Sequence, residues 1–147
     1  MKHLNLKQNQ FSYTKKLRQM ESNTKSTRHA KYNLNYHFVW IPKYRRPVLK
    51  GKKAERVRKL LNEIAEEKGF EVLEMEVMDD HIHLFCSCPP RISPAEAINY
   101  FKGISARRYN QLYDDKLKWT RSYFVGSAGN VSAETIERYI QEQEEKL

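Results

Sequence analysis

The sequence has little cysteine, no long apolar run and fewer acidic than basic residues. Its two cysteines among 147 residues, Cys86 and Cys88, are too few for a disulfide framework and suit a reducing compartment. No segment approaches the roughly 18 consecutive apolar residues of a membrane span, and the N-terminus lacks the apolar stretch of a signal peptide. The length fits one domain. These observations predict a cytoplasmic, single-domain protein with free thiols and no membrane partner.

The excess of basic residues is concentrated in two segments. Lysine and arginine number 27 against 18 acidic residues, a net charge of +9 that favours a polyanionic partner such as nucleic acid. Residues 1–31 carry eight basic residues against one acidic, without hydrophobic periodicity, and are predicted to be a flexible tail preceding a domain at 32–147. Residues 43–59 carry nine against one and include KYRRP, whose aromatic among cations suits base stacking and phosphate neutralisation.

Hydrophobic spacing predicts a strand, a helix and a hairpin in the first part of the domain. Residues 32–41 alternate as a strand does. Residues 53–68 repeat apolar side chains at helical spacing, and Gly69 follows as the residue that ends the helix. Residues 70–78 and 81–88 are strand-like runs separated by two aspartates, which predicts an antiparallel hairpin.

The second part of the domain continues with a helix, a strand and a last helix. Ser93 is a predicted N-cap for a helix that runs to about Tyr113. Residues 119–125 are a predicted strand, residues 126–130 a flexible loop, and Ser132 the N-cap of the last helix. The order βαββαβα predicts an α+β fold with an antiparallel sheet.

The sharpest local feature is the pair of histidines in the hairpin. Because residues two apart in a strand share a face, His81 and His83 project side by side, which makes half a metal site. The alternative is two polar residues on the solvated side of a strand. Cys86 and Cys88 fall on the opposite face, which disfavours a zinc site that joins them to the histidines. A metal therefore needs a ligand from elsewhere.

The last helix offers such a ligand. Tyr139 and Gln143 are four residues apart, so the phenol and the amide share a helical face. A glutamine oxygen can ligate a hard cation. The alternative is that both belong to an ordinary half-buried stripe of the helix.

Five segments together resemble a known family of enzymes. In order along the chain, they are similar to segments of the single-tyrosine HUH transposases of the smallest bacterial and archaeal insertion sequences and of their repeat-associated relatives. The resemblance covers about residues 27–147, and residues 1–26 match nothing in it. The segments are YNLNYHFVWIPKYRRPVL, MDDHIHLF, KGISARR, WTRSYFVGSAG and VSAETIERYIQEQ.

The resemblance implies a role for each residue of the histidine pair in the hairpin and of the tyrosine–glutamine pair on the last helix. His81 and His83 look like the two histidine ligands of a divalent cation, Mg²⁺ or Mn²⁺, and Gln143 like the third ligand. Tyr139 looks like the nucleophile, carried on a C-terminal helix. The resemblance also implies a ferredoxin-like, or RRM-like, antiparallel sheet flanked by helices. Members form homodimers in which this helix completes the partner's site, so each active site is composite and built in trans.

The implied activity is metal-dependent cleavage and rejoining of single-stranded DNA marked by subterminal hairpins. Attack by Tyr139 on the phosphorus gives a 5′-phosphotyrosine and a free 3′-hydroxyl, and reversal of the attack by another 3′-hydroxyl joins new ends. No residue of the sequence identifies itself as the base for Tyr139. The residues expected to contact DNA are Lys43, Tyr44, Arg45 and Arg46 after the first strand and Lys102, Ser105, Arg107 and Arg108 on the second long helix.

Three other functions stay open on the sequence. A domesticated relative would nick hairpin DNA without mobilising its own gene. A non-catalytic module for RNA or single-stranded DNA would bind through the aromatic residues of its sheet and form no covalent adduct. A small metal-binding protein would need no DNA and leaves Tyr139 unexplained. The basic residues of the second long helix have a plain alternative as well, since charged side chains keep a helix soluble.

Overall fold

A computed structural model describes residues 25–26, 31–127 and 132–145. A small ribbon precedes the main sheet, in which β1 (Lys25–Ser26) pairs antiparallel with β2 (Lys31–Tyr32). The Lys25 ammonium group forms an ion pair with Glu71. The rest of the predicted tail lies outside the described residues, and the division at residue 31 stays a prediction.

Among the described residues, the main sheet has four antiparallel strands, which are β3 (Asn35–Trp40), β4 (Glu71–Met78), β5 (His81–Ser87) and β6 (Phe124–Ser127). They are neighbours in the order β4-β5-β3-β6. This is the ferredoxin-like order, and it confirms the predicted α+β fold with an antiparallel sheet. Val39 of β3 lies opposite His83 of β5 on one side and Phe124 of β6 on the other.

The first long helix, α1 (Gly51–Lys68), begins two residues before the predicted start and ends where predicted. Gly69 adopts the left-handed conformation, with φ at +79°, and its N–H donates to the carbonyl group of Glu66. A residue without Cβ adopts this conformation without strain, so the glycine ends the helix. The buried face of α1 is formed by Val57, Leu60, Leu61, Ile64 and Ala65, the five residues from which the helix was predicted.

The second helical segment is continuous but changes its winding. It consists of α2 (Pro94–Asn99), a π-helical turn (Tyr100–Ile104) and α3 (Ser105–Leu112). The side chain of Ser93 accepts a hydrogen bond from the N–H of Glu96, as the capping sequence predicts. The predicted helix is therefore confirmed over nearly its full length.

The predicted strand at residues 119–125 forms only at its end. Trp119 makes an isolated bridge to Pro42, and β6 begins at Phe124. The carbonyl groups of Arg121 and Ser122 accept hydrogen bonds from the Lys102 ammonium group. A side chain is therefore the donor to these carbonyl groups, instead of the backbone of a neighbouring strand. The strand continues instead through Gly126 and Ser127, which were predicted to be loop; the rest of that loop lies outside the described residues.

The sheet buries both faces, each against different helices. On one face Phe38, Trp40 and Leu84 pack against α1 and against Phe101 of the π-helical turn. On the other face lies α4 (Ala133–Glu145), the last helix. A smaller cluster holds α4 there and consists of Val39, Ile41, Tyr139 and Ile140, with Phe124 and Ile136 packed against it. No helix of the described residues is long and apolar enough to cross a membrane.

Candidate active site

Both histidines of β5 face the side of the sheet that α4 covers. His83 lies opposite Val39, which belongs to the cluster beneath α4, and His81 follows two residues away in the strand. The two imidazoles line one cavity of about 170 Å³ between the sheet and the start of α4. The other lining residues are Glu76, Ala133, Ile136, Glu137 and Ile140.

His81 is held by the aspartate that precedes it. Its Nδ1 lies 3.0 Å from Oδ1 of Asp80, and Oδ2 of the same carboxylate lies 3.0 Å from Nε of Arg45. Burial raises the pKa of Asp80, but the hydrogen bonds with His81 and Arg45 outweigh it, so the pKa lies below its ordinary value. Asp80 is therefore an ionised acceptor at neutral pH.

His83 is almost fully buried and has partners on both ring nitrogens. Its Nε2 lies 2.8 Å from Nδ1 of His37, and its Nδ1 lies 3.8 Å from Oε2 of Glu76. The His37 ring stacks on Phe85, with centroids 4.1 Å apart, and also on His83. A metal bound at His83 must replace one of the two contacts of this ring.

Two glutamates of β4 join His83 in a second possible set of ligands. Ligand atoms of Glu74, Glu76 and His83 all lie within 4.8 Å of one another. Glu76 lies directly opposite His83, and an irregularity between Val72 and Glu74 shifts the register of β4. A sequence pattern does not reveal such a bulge, so these glutamates were not among the predicted ligands.

The cysteines lie in the core on the other face of the sheet. Cys86 and Cys88 are both free and buried, as predicted, and their sulfur atoms are 3.7 Å apart. The hydrogen bond with Cys88 and burial raise the pKa of Cys86 well above its ordinary value. Cys86 packs with Phe38 and Leu84, away from the histidine cavity.

Tyr139 and Gln143 meet at a serine that the sequence analysis did not single out. The Ser122 hydroxyl group donates to Oε1 of Gln143 at 2.6 Å, and its oxygen lies 3.1 Å from the Tyr139 hydroxyl group. Since the single proton of Ser122 is directed at Gln143, Tyr139 is the donor in the second bond. A lone serine in an irregular segment carries no spacing signal from which it could have been found.

The Tyr139 phenol is buried and not spontaneously ionised. Burial raises the pKa of Tyr139, and the hydrogen bond with Ser122 only partly offsets this. Neither Tyr139 nor Gln143 lines the histidine cavity of its own chain, although α4 contributes four other residues to the lining. The structure thus brings the histidines together and the tyrosine together with the glutamine, in two separate groups.

The turn after β3 presents a tyrosine between two cations. Lys43 and Arg46 place their charged groups 5.2 Å and 5.4 Å from the centre of the Tyr44 ring, which is 54% exposed. Tyr44 and Arg45 both have positive φ, 64° and 50°, a conformation that costs residues with a Cβ roughly 1–2 kcal/mol each. Strain of this kind often accompanies a functional surface.

The four predicted DNA contacts of the second helical segment differ in their surroundings. Ser105 is fully buried; its hydroxyl group donates to the carbonyl group of Lys102 and accepts from Trp119, so we omit Ser105 from the proposed DNA surface. Burial lowers the pKa of Lys102 to about 8. Arg108 forms two hydrogen bonds with Glu67, at 3.0 Å and 2.7 Å. Arg107 is exposed.

The sequence profile of a transposase family, described as IS200-like, matches residues 30–143. The chain belongs to this family. Within it, the sequence is 38% identical over 123 residues to the ISDra2 transposase TnpA of Deinococcus radiodurans, covering 78% of this chain and 87% of that protein. It is 37% identical over 129 residues to the transposase for insertion sequence element IS200 of Salmonella typhimurium, covering 83% of this chain and 84% of that protein.

Solved structures of transposases share the fold of this IS200-like family member. A crystal structure of a Deinococcus radiodurans R1 protein described as a transposase superposes with a TM-score of 0.74 at 31% identity, covering 81% of this chain and 97% of that one. A REP-associated tyrosine transposase bound to a REP hairpin superposes with a TM-score of 0.54 at 14% identity, covering 80% and 68%. The family resemblance expected from the five sequence segments is thereby confirmed.

Proposed function

We propose that this transposase cleaves and rejoins single-stranded DNA through a 5′-phosphotyrosine on Tyr139. The observation that carries the proposal is that Tyr139 and Gln143 both contact the hydroxyl group of Ser122. Both residues belong to α4, which packs over the sheet face that bears the two histidines. Through Ser122, the phenol of Tyr139 and the amide of Gln143, one helical turn apart, are linked to the same side chain.

The donor atoms at the cavity fit a divalent cation, Mg²⁺ or Mn²⁺. His81 and His83 would hold it, with Gln143 as the third ligand; imidazole donors favour Mn²⁺ over Mg²⁺. The carboxylate of Glu76 in the same cavity lining is an additional oxygen donor. The chemistry that the bound cation supplies is polarisation of the scissile phosphate and compensation of its developing charge.

Tyr139 performs the covalent step. Its phenolic oxygen forms a bond with the phosphorus while the bond from phosphorus to the 3′-oxygen breaks, which gives a 5′-phosphotyrosine and a 3′-hydroxyl. Ser122 holds the phenolic proton before the attack, since its oxygen is the acceptor for that O–H. The phosphodiester-like bond energy is retained, so a 3′-hydroxyl can reverse the attack and join strands without ATP.

We further propose that the working enzyme is a homodimer with active sites composed in trans. Tyr139 and Gln143 do not line the cavity of His81 and His83 in their own chain, which supports an arrangement in which α4 of a second copy supplies them. The helix is held by a small cluster of apolar residues and by the contacts of Tyr139 and Gln143 with Ser122, so its exchange between chains disrupts few contacts.

The proposed substrate is DNA with subterminal hairpins, and the proposed location is the cytoplasm, in association with the nucleoid. The hairpin bound to the REP-associated relative supports this substrate class. The proposed DNA surface comprises the strained turn at residues 43–46 and three basic residues of the second helical segment. Its proposed residues are Lys43, Tyr44, Arg45 and Arg46 together with Lys102, Arg107 and Arg108.

The test is adduct formation on single-stranded DNA that carries candidate element ends, with Mn²⁺, resolved on a denaturing gel. Wild-type protein is expected to give a protein–DNA adduct that Tyr139→Phe does not form, while hairpin binding persists. The matched control is Tyr100→Phe, which removes the phenolic oxygen of a partly buried tyrosine on the face of the sheet opposite to α4. An adduct with Tyr139→Phe would refute the proposal, and binding without any adduct would favour a non-catalytic module.

A further inference from the structure

Asp80 divides its carboxylate between a histidine of the cavity and an arginine of the strained turn. Oδ1 lies 3.0 Å from Nδ1 of His81, and Oδ2 lies 3.0 Å from Nε of Arg45. The carboxylate is only 26% exposed, and the His81 side chain 16%. Each oxygen therefore has its own partner in a mostly buried position.

This contact determines which nitrogen of His81 carries the proton. An ionised carboxylate only accepts hydrogen bonds, so Nδ1 of His81 must be the donor. A neutral imidazole has one N–H, and Nε2 then keeps its lone pair. His81 lines the cavity, and a metal ligand there requires such a lone pair.

We propose that Asp80 is a positioning residue that holds His81 in the Nδ1–H tautomer, and that Arg45 holds the Asp80 carboxylate in place. The inference rests on the proposed function only in treating His81 as a metal ligand. Arg45 belongs to the turn whose φ angles are positive and whose backbone is tied to Lys118 through the N–H of Lys43. The proposed DNA-contacting turn and the histidine are thus joined through one carboxylate.

The first measurement is the tautomer of His81 by two-bond ¹⁵N–¹H correlation NMR on the full chain, near pH 8. In wild-type protein, the Nδ1–H form is expected. Asp80→Asn preserves shape, but its amide oxygen will turn to the cationic Arg45 and its NH₂ group to His81. The expected result is a change to the Nε2–H tautomer; retention of Nδ1–H in this variant would overturn the proposal.

The second measurement is Mn²⁺ affinity, from free Mn²⁺ counted by electron paramagnetic resonance. Asp80→Asn is expected to weaken binding by about 10–100-fold, the usual range for loss of a carboxylate partner of a metal-bound histidine. Arg45→Gln should leave the tautomer unchanged and weaken binding by a smaller factor; affinity equal to wild type would refute the part assigned to Arg45.

Asp79→Asn is the matched control. It makes the same change at the neighbouring residue, whose side chain is 64% exposed and 3.7 Å from Lys50. Neither the tautomer nor the affinity should change in it, and an equal effect there would show a general electrostatic cause and overturn the proposal. The tautomer is read without DNA or cleavage, so its outcome is separable from failure of Tyr139→Phe to abolish the adduct.

Discussion

Ser122 donates its hydroxyl proton to Oε1 of Gln143 and accepts the hydroxyl proton of Tyr139. The proposed nucleophile and the proposed third ligand are therefore linked through one side chain. The same residue offers its backbone carbonyl group to the Lys102 ammonium group. Ser122 thus connects the last helix to the segment that precedes β6.

We expect Ser122→Ala to shift the pH dependence of adduct formation upwards. Once Tyr139 is ionised, the Ser122 hydroxyl group can rotate and donate its proton to the phenolate oxygen instead of to Gln143. This bond with the phenolate lowers the pKa of Tyr139 against the effect of burial, so its loss raises that pKa and leaves less phenolate at any given pH. The rate should then rise at higher pH than in wild type. The measurement is the initial rate of adduct formation across a pH series.

Ser122→Thr is the control for this prediction, since it keeps the hydroxyl group. An unchanged profile in Ser122→Ala would contradict the role given to the bond. The lost hydrogen bonds should also lower the free energy of unfolding by about 0.5–1.5 kcal/mol each, which denaturant titration measures.

Lys102→Met should remove a pH dependence of stability. Burial lowers the pKa of Lys102 to about 8 from its ordinary 10.5, so the unfolded chain binds more protons than the folded one between these values. The contribution of Lys102 to the free energy of unfolding therefore rises with pH across that window. The difference between wild type and Lys102→Met, followed by denaturant titration from pH 7 to 10.5, should rise in the same direction; a flat difference would contradict the assignment.

The strained turn should contribute to DNA affinity through both stacking and charge. Tyr44→Ala is expected to weaken hairpin-end binding by about 1–3 kcal/mol if a base stacks on the exposed ring. Arg46→Gln should instead reduce the slope of log affinity against log salt by about 0.7, the effect of one phosphate contact on a single strand. Fluorescence anisotropy at several salt concentrations separates the two effects.

Arg91→Gln serves as the control for the turn. Arg91 is exposed and lies after the C-terminal end of β5, whereas His81 is the first residue of that strand. Its substitution should leave the salt slope unchanged. Equal losses at Arg46 and Arg91 would indicate a general effect of net charge rather than a binding surface.

Mixing two inactive variants should restore activity if the active site is built in trans. In a dimer of Tyr139→Phe with the double variant His81→Ala, His83→Ala, one composite site carries every defect and the other none. Adduct formation should return to at most half of the wild-type level for each mixed dimer. Subunit exchange is verified by differential tags, and a mixture that exchanges but stays inactive would establish sites built within one chain.

Most of the fold follows from local patterns in the sequence. Gly69, Ser93 and the aspartates between β4 and β5 mark element boundaries because each satisfies a backbone requirement where it stands. The start of β6 could not be predicted this way. It depends on Lys102, distant in sequence, whose ammonium group bonds with the carbonyl groups that would otherwise extend the strand.

The candidate site was predictable only in part for the same reason. The shared face of His81 and His83 follows from strand alternation, and the shared helical face of Tyr139 and Gln143 follows from helix periodicity. Ser122 and Glu74 depend on tertiary contacts and on a bulge, which leave no local pattern. Positive φ at Tyr44 was equally hidden, because glycine is the residue ordinarily expected there.

The buried cysteine pair allows local opening of the sheet to be measured by thiol labelling. Cys86 lies in β5, between β4 and β3, with Val72 and Tyr36 as its neighbours across the strands. Thiol reagents react with the thiolate, and the Cys86 thiol is enclosed and resists ionisation. A maleimide dye will therefore label a cysteine introduced on the surface while sparing the two buried cysteines. In a Cys88→Ser chain, its slow reaction with Cys86 will measure the rate at which the central strands separate.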